Sequence, residues 1–559
     1  MQQTCRNPWC KQSFGITEED SSLRESLAPV VAGKRFPLPQ PTLCPDCRQQ
    51  RRAAFLNEMH LYKRTCGLTG KNVLSDKDPE QPYIVYDQEV WYSDRWDALK
   101  FGREVDFSRP FFDQLKELSL VVPYPSRFTV PQFDENSEYT NYAGRNKNCY
   151  LIFDSDENRD CYDSYSLNGS VSCMDCYRVR RSELCYECID CLQCYGSAYL
   201  QDCVNCSDSM FLKNCSGCKH CLYCININNK EYMVENKPVS KKDFEHIVTL
   251  LADRKHILAA QKHFQEWRLR FPEKFIHGVQ NENVIGDYLL QSKNARHCFD
   301  GEKLWDTAHL YRTFMSVKNS MDCEATGEGE RLYQCSTAGY GAYDVFFSAN
   351  CLDQISNLFY CSFCFHSKNC FGCVGLNRKQ HCILNRQYTE DDYERIVPRL
   401  IEYMQKTGEW GDFFPPALSL FAYNESIAND YYPLTEAQAK ALGYRWKERD
   451  SREYAPPTFV PPASVGEVRD DVIQETLACG TCGRNYRIQA QELALLRSVR
   501  MPLPAECFFC RHHNRMRKRN PRHLWQRSCA KCKKELQTTY APERPEIIYC
   551  EECYLKEVY

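Results

Sequence analysis

The feature that most constrains the fold is a three-residue period in the middle of the chain. From Cys149 to Ile227 every third residue is small or apolar, and Asn158 is the one outlier. An α-helix repeats every 3.6 residues and a strand every two, so neither produces this period. Short extended segments joined by regular corners do produce it, and stacked coils of this kind align like side chains in ladders. We therefore predict a β-solenoid.

Cysteine fills much of this ladder, and the whole chain holds 36 cysteines. It suits a solenoid interior because its side chain is small, apolar and poorly hydrated. The alternative is a metallothionein-like or cluster-binding array of thiolates. Leu, Ile, Val and Ser share the ladder with cysteine, which favours packing. Six cysteines recur as a block further along the ladder: Cys173, Cys176, Cys185, Cys188, Cys191 and Cys194 return as Cys203, Cys206, Cys215, Cys218, Cys221 and Cys224.

The end of this block is repeated further along the chain at an offset of 149. Residues 221–236 match 370–385, and the match continues into two helices that follow Ser240 and Thr389. Ser or Thr with Asp three residues later is a helix-capping pattern, and we predict that each helix covers the end of a solenoid. The second solenoid, about 292–388, is less regular, so longer loops there could carry a binding surface. Both blocks contain aromatic residues that the sequence leaves as either buried or exposed: Tyr195, Tyr199, Phe211, Phe359 and Tyr360.

The C-terminal region contains four Cys-x2-Cys pairs, a pattern typical of structural zinc sites. Each pair fits a tight turn, and two pairs supply the four thiolates of a tetrahedral site. Eight ligands allow two zinc ions. Sequential pairing of neighbouring pairs and interleaved pairing are both open. The four pairs are Cys479/Cys482, Cys507/Cys510, Cys529/Cys532 and Cys550/Cys553.

The N-terminal region is a copy of this module at an offset of 463. It keeps one four-cysteine set, but its second ribbon has lost its ligands. Thr69, Asp87 and Val90 stand where the C-terminal copy has Cys532, Cys550 and Cys553. We predict the same fold there without metal, and the clean loss of one site favours sequential pairing. The predicted total is about three Zn²⁺, and the ligands of the N-terminal site are Cys5, Cys10, Cys44 and Cys47.

These zinc sites are expected to be structural, because no pair is accompanied by an open coordination position. We therefore predict no catalytic residues. Metal binding supplies folding free energy that such small modules lack, on the order of 10 kcal/mol.

A basic segment lies between Cys510 and Cys529 and contains no acidic residue. Such a segment beside a zinc knuckle can follow phosphates, with an aromatic ring available for base stacking. The alternative is a solvated helix face. The net charge of −3 gives no general attraction to nucleic acid, so binding would need this local patch. The candidate nucleic-acid-binding residues are Arg511, Arg515, Arg517, Lys518, Arg519, Arg522, Trp525 and Arg527.

The sequence also predicts where the protein resides. The N-terminus lacks the apolar region of a signal peptide, and no apolar stretch is long enough to span a membrane. Many cysteines without an export signal indicate metal ligation and reduced thiols in a cytoplasmic protein without a membrane partner.

Five motifs of this chain occupy residues 43–48, 62–71, 106–112, 382–388 and 408–415. They resemble motifs of a large uncharacterised family of cysteine-rich zinc-ribbon proteins from bacteria of the candidate phyla radiation. The resemblance covers residues 1 to about 450 and implies a fold and a source. That family has no established activity, so the resemblance implies no function.

These patterns together predict a multidomain, mainly β protein with some α structure. Small zinc-ribbon or treble-clef-like modules flank two β-solenoid-like cysteine ladders, each followed by a capping helix. The predicted divisions are a zinc module with a metal-free second ribbon (1–100), a helical connector (101–142), the first solenoid with its helices (143–275), the second (285–450), a Pro-rich linker (451–475) and a two-zinc module (476–559).

The sequence favours a non-enzymatic, zinc-binding function with RNA or a nucleoprotein as partner, through residues 511–527. A protein–protein interaction scaffold that uses the solenoid surfaces is the alternative. An enzyme, such as a zinc-dependent nuclease or a thiol redox protein, ranks third.

Overall fold

A computed structural model describes residues 1–129, 133–251, 253–448 and 454–558. The fold is mainly β, and two solenoids of parallel strands form its middle, as the period-three pattern predicts. The N-terminal module and the segment after it contain β1 (Gln2–Thr4), β2 (Ser13–Gly15), α1 (Glu18–Leu27), β3 (Val30–Val31), β4 (Lys34–Arg35), α2 (Pro45–Ala53), β5 (Tyr62–Thr65), β6 (Asn72–Ser75), β7 (Val85–Tyr86), α3 (Gln88–Trp91), α4 (Phe111–Val121) and β8 (Tyr124–Pro125).

The first solenoid is built from regular coils of one length. Tyr150 pairs with Tyr162, and Met210 with Leu222, in parallel register. Every third residue has a positive φ, for example Leu151 at 51° and Asp154 at 54°, so the chain turns four times per coil. Asn, Asp and Gly, which tolerate this conformation, occupy many of these corners. The elements are β9 (Thr140–Gly144), β10 (Tyr150–Asp156), β11 (Tyr162–Tyr165), β12 (Ala198–Gln201), β13 (Met210–Lys213), β14 (Lys219–Ile225), β15 (Glu231–Val234), β16 (Lys237–Pro238), α5 (Lys241–Thr249) and α6 (Arg254–Arg268).

The cysteines of the first solenoid pack its interior. Cys161 and Cys173 are fully buried, and their Sγ atoms lie 3.5 and 3.6 Å from the carbonyl oxygens of Ser170 and Ser182 on the next coil. Within the described residues, no solenoid cysteine belongs to a group that could hold a metal ion. This supports packing over a thiolate array. The cysteine repeat of the sequence spans two and a half coils, so its two copies lie on opposite sides of the solenoid.

The second solenoid mixes coils of different length. Gly278 pairs with Leu289 in a coil that is one residue shorter than those of the first solenoid. Ala308 pairs with Met321 in a coil that is one residue longer. These changes account for the altered cysteine register of the sequence. The strand β17 (Pro272–Lys274) precedes this solenoid. The solenoid and the segment after it contain β18 (Gly278–Val279), β19 (Ile285–Leu290), β20 (Lys293–Glu302), β21 (Leu304–Thr313), β22 (Val317–Lys318), β23 (Met321–Glu324), β24 (Gly329–Gly339), β25 (Ala342–Phe346), β26 (Ala349–Leu352), β27 (Ser356–Phe359), β28 (Lys368–Phe371), β29 (Gln380–Ile383), β30 (Arg386–Gln387), α7 (Glu390–Thr407), α8 (Ile427–Tyr431) and α9 (Glu436–Ala441).

An asparagine closes the last coil of each solenoid. Asn236 accepts a hydrogen bond from the backbone N–H of Ile225 and donates one to its carbonyl oxygen, so its amide replaces a further coil. Asn385 does the same with Val374. The predicted helices follow, and the hydroxyl of Thr389 caps α7. The buried stripe of α7 packs in the aromatic core beside the second solenoid.

The C-terminal module begins after a segment that the sequence predicted as a linker. Residues 451–453 lie outside the described part. From Val465 onward the segment is packed, because Val465, Val468 and Val472 are buried against the module. The module consists of β31 (Leu477–Ala478), β32 (Asn485–Tyr486), α10 (Ala490–Ser498), α11 (Phe508–Met516), β33 (Trp525–Ser528), β34 (Glu535–Thr538), β35 (Ile547–Tyr549) and α12 (Glu551–Val558).

Each end module packs on the solenoid that is farther from it in the sequence, an arrangement that we call crossed docking. The N-terminal module packs on the second solenoid through a large aromatic core, and the C-terminal module packs on the first. Each module also pairs with a strand that precedes a solenoid: β7 with β8, and β35 with β17. The sequence predicted a helical connector over residues 101–142. In the structure this region contains the helix α4, then the strand β8, and the chain enters β9 at Thr140.

Candidate metal centres and the buried basic segment

Three groups of four cysteines come together in the end modules. In each, all four Sγ atoms lie within 4.8 Å of one another. The grouping follows neighbouring pairs, so sequential pairing is the arrangement that the fold produces. The groups are Cys5/Cys10/Cys44/Cys47, Cys479/Cys482/Cys507/Cys510 and Cys529/Cys532/Cys550/Cys553.

The sulfur spacing fits a tetrahedral metal ion. The Sγ atoms of Cys10 and Cys44 are 3.7 Å apart, and the same distance separates Cys482 from Cys507. A tetrahedron with metal–sulfur bonds of about 2.3 Å has edges of about 3.8 Å. The sites can therefore take such an ion with little rearrangement.

In each group the pKa of one cysteine is lowered, which favours the thiolate, the form that binds metal. Burial raises the pKa of a second cysteine in each group: Cys10, Cys507 and Cys553. A hydrogen bond from Cys47 lowers the pKa of Cys44 to about 6. Burial opposes the charge on Cys479, yet the backbone N–H groups of Cys482 and Cys507 lower its pKa to about 7. Burial also opposes the charge on Cys529, but similar N–H groups outweigh it and lower the pKa to about 6.

The second ribbon of the N-terminal module keeps the fold without the sulfur ligands. Tyr62 pairs with Ser75 in the β5–β6 hairpin, as Trp525 pairs with Thr538 in β33–β34. Cys66 accepts a hydrogen bond from the backbone N–H of Asp87, the residue at the position of Cys550. The shared fold is confirmed, and the lack of metal in this ribbon stays a prediction.

The basic segment begins within α11, which starts at the Cys507–Cys510 turn of a candidate metal site and lies against the first solenoid. Arg511 and Arg515 are 7% and 0% exposed. Arg515 lies 2.6 Å from Asp175 and 3.2 Å from Glu187. Arg511 pairs with Asp175 as well and lies 3.2 Å from Asp163. The three acidic residues are successive corners of one solenoid edge, each on the coil after the last.

The next two arginines connect the two solenoids. Arg519 lies 2.6 Å from Asp190 of the first solenoid and 2.7 Å from Asp300 of the second. Arg522 lies 2.8 Å from Asp300, and both arginines are buried. Burial opposes the charge of Asp300, but Arg178, Arg519 and Arg522 hold its pKa well below the usual range. The segment therefore joins the solenoids through buried ion pairs.

The other four predicted nucleic-acid-binding residues are more accessible. Arg517 is exposed, and Lys518, Trp525 and Arg527 are half-buried. Lys518 lies 3.2 Å from Glu187, and Arg527 donates to the carbonyl oxygen of Ala541. The structure thus separates the eight residues into an internal set of four arginines and an outer set of four. Binding of nucleic acid by this segment stays a prediction.

The N-terminal module uses the same contact on the second solenoid. In α2, Arg48 lies 2.9 Å from Asp322 and Arg52 lies 3.5 Å from it. Arg48 and Arg52 correspond to Arg511 and Arg515 at the offset of 463. We call the two contacts the N-terminal clasp (Arg48, Arg52, Asp322) and the C-terminal clasp (Arg511, Arg515, Asp163, Asp175, Glu187).

The acidic partners in the clasps also correspond to each other. Strand pairing places Asp175 four coils before Tyr223, and Asp322 four coils before Gly372. Tyr223 and Gly372 are related by the offset of 149. These acidic residues were missed in the sequence. Knowledge of the coil length would have revealed Asp163, Asp175 and Glu187 as acidic residues spaced one coil apart.

No protein-family model matches this chain, and a search of curated proteins finds no match. The resemblance of the motifs to the candidate-phyla family stays a prediction. None of the helices in the described ranges has the length and apolar character needed to cross a bilayer.

Proposed function

We propose that the protein is a non-enzymatic zinc scaffold of the cytoplasm that binds a macromolecular partner on the outer faces of its solenoids. The observation that supports it most directly is that four of the arginines in the basic segment are buried. These four arginines hold the C-terminal module on the two solenoids instead of facing solvent. The solenoids are left with regular outer surfaces that a partner can contact.

Zinc is the proposed metal because four thiolates at tetrahedral spacing are its preferred structural site. With four protein ligands a site has no open position for a substrate. The pocket near Phe55, of about 30 Å³, and the pocket near Asp300, of about 10 Å³, have room for a water molecule or two.

Purification from the native cell tests this proposal. Metal analysis is expected to give about three zinc ions per chain, and the absorbance ratio at 260 and 280 nm is expected to be that of protein alone. A partner should be retained at high salt if apolar contacts dominate. The absence of zinc, or a turnover of substrate that depends on zinc, would contradict the proposal.

Co-purifying nucleic acid would instead support the RNA partner that the sequence favours. That nucleic acid should then be lost when the outer residues Arg517 and Arg527 are replaced by Ala. Arg515→Ala is the informative comparison, because it should lower the stability of the fold without removing a phosphate contact.

A further inference from the structure

One exposed edge of each solenoid carries the same four residues on four successive coils. We call Glu183, Tyr195, Ser207 and Lys219 the first ladder. Strand pairing joins each of them to the next. The second ladder consists of Glu330, Tyr343, Ser356 and Lys368, which are joined in the same way.

The equivalence of the ladders is visible only in the strand register. Ser207 and Ser356, like Lys219 and Lys368, are related by the offset of 149. The two coils between Glu330 and Ser356 are each one residue longer than their counterparts, so Tyr343 follows Tyr195 at an offset of 148. The same four residues have therefore kept their order and their edge although two coils changed length.

The inward side chains directly behind the two ladders differ between the solenoids. The inward residues that precede Tyr195, Ser207 and Lys219 are Cys194, Cys206 and Cys218, and their counterparts are Ala342, Ile355 and Ser367. All six are buried. Close packing usually restricts the interior more than the surface. The outer residues of the two ladders are identical, whereas the inner residues behind them differ. This difference indicates that a contact outside the fold has kept the outer residues unchanged.

The two tyrosines are available for such a contact. Tyr195 is 46% exposed and Tyr343 is 48% exposed, although most aromatic rings of the solenoids are buried. Among the ion pairs of the described residues, none involves Glu183, Lys219 or Lys368. The Glu330 carboxylate accepts a hydrogen bond from Asn319. At about 4.8 Å per coil, each ladder is about 14 Å long.

The order of charges makes each ladder complementary to itself. Two copies that meet about a two-fold axis place the Glu of one opposite the Lys of the other, and Tyr opposite Ser. Such an isologous contact needs one surface only. We propose that each ladder is a docking face for the same ladder of a second copy of this chain. This inference rests on the proposed role of the solenoid faces as binding surfaces.

The contact is expected to be weak on its own. A stable interface buries about 800 Å² on each partner, which is more than four side chains supply. Because each chain carries two ladders, one copy can contact two others, and association can continue beyond a dimer. Association should therefore depend on concentration, and added salt should weaken it because the charges are exposed.

Sedimentation velocity of the metal-loaded full chain tests this inference over a series of concentrations. The average mass is expected to rise with concentration at low salt. The double variant Tyr195→Ala, Tyr343→Ala should remain a monomer. Tyr454→Ala is a matched control, because Tyr454 is also 50% exposed but lies outside both ladders. Zinc content and near-ultraviolet circular dichroism confirm that each variant is folded.

Charge reversal gives the decisive comparison. Lys219→Glu with Lys368→Glu makes every ladder acidic at both ends, and this variant should be a monomer. Glu183→Lys with Glu330→Lys makes them basic at both ends and should also be a monomer. An equal mixture of the two should associate again, whereas Lys242→Glu on α5 should change nothing.

A wild-type protein that is a monomer at every soluble concentration would overturn the proposal, and so would an unrestored mixture. A monomer that binds a different protein, and loses it in the tyrosine variant, would overturn self-docking and leave the scaffold function intact. A monomer without any partner would contradict both.

Discussion

The N-terminal and C-terminal clasps are two solutions to the same docking problem. In the N-terminal clasp one carboxylate, Asp322, holds both arginines. In the C-terminal clasp three carboxylates share two arginines. The arginine–aspartate contact is the common part. We infer that docking of a module on a solenoid depends on this charge pair, and that the number of carboxylates around it is adjustable.

The metal sites differ between the same two regions. The second ribbon of the C-terminal module has a small core that includes three of its cysteines. The corresponding N-terminal ribbon adds Tyr83 and Trp91 to the large aromatic core beside the second solenoid. A small module needs either metal or buried apolar area for stability. The comparison indicates that packing took over where the ligands were lost.

Removal of metal should therefore produce the largest difference between the C-terminal and N-terminal ribbons. We expect a chelator to unfold residues 525–558, because a structural zinc site contributes on the order of 10 kcal/mol. Residues 62–91 should stay folded. Hydrogen exchange measured by mass spectrometry resolves the two ribbons. Equal loss of protection in both would show that the N-terminal ribbon also depends on metal.

Removal of the shared carboxylate should have the next largest effect. Asp322→Ala leaves two buried arginines without a carboxylate partner and is expected to cost about 3–5 kcal/mol. Asp175→Ala should cost less, because Asp163 and Glu187 remain near Arg511 and Arg515. Urea unfolding of both variants measures the difference. A larger loss for Asp175→Ala would refute the idea that the extra carboxylates are a reserve.

A rise in pH should weaken the pairing of β17 with β35, which lies beside His277, more than the pairing of β7 with β8. His277 lies 3.2 Å from Asp287 and 3.8 Å from Asp202, and its counterpart at the offset of 149 is Phe128. Burial opposes its charge, but the two carboxylates raise the pKa of His277 to about 9. The unfolded value is about 6.5, so this stabilisation is complete below that pH and is lost as the pH rises through 9.

Hydrogen exchange of the paired strands β17 and β35 is expected to speed up between pH 7 and 10 beyond the intrinsic change in rate. The pair β7–β8 should show no such excess. His277→Phe should make the two pairs behave alike, and a pH effect that persists in this variant would assign the titration to another group.

The smallest effect is expected for a single interior thiol. Cys194→Ala should cost about 1 kcal/mol, the value of roughly one buried methylene-sized group. Ala already occupies the equivalent position, Ala342, in the second solenoid. Thermal unfolding measures the change. A loss of several kcal/mol would mean that the thiol does more than fill space.

The sequence predicted those parts of the structure that depend on local spacing. A period of three identifies solenoid sides, and Cys-x2-Cys identifies a metal turn, because both signals lie within a few residues. The offset of 463 likewise located the ribbon in which Thr69 and Val90 replace ligands. The capped helices after Ser240 and Thr389 were also predicted correctly.

The parts that were missed depend on distant contacts. A sequence pattern of period three looks the same for any coil length divisible by three, so the length of the coil was not visible. The return of the Cys173 block at Cys203 even suggested a different unit. The partners of the arginines could not be predicted either, because Arg48 and Asp322 are 274 residues apart and leave no local trace. A basic segment on its own does not reveal whether its counter-ions are internal.

The crossed docking determines how late the first solenoid is covered by its module during synthesis. Asp175 precedes Arg515 by 340 residues. At about 5–20 residues per second, the first solenoid waits for roughly 17–70 s before the ribosome supplies the module that covers it. Its acidic corners and the apolar residues beside them stay open to water over that interval. The first solenoid must therefore remain soluble as an unfinished surface, and every newly made chain passes through a state in which another molecule can occupy the place of its own C-terminus.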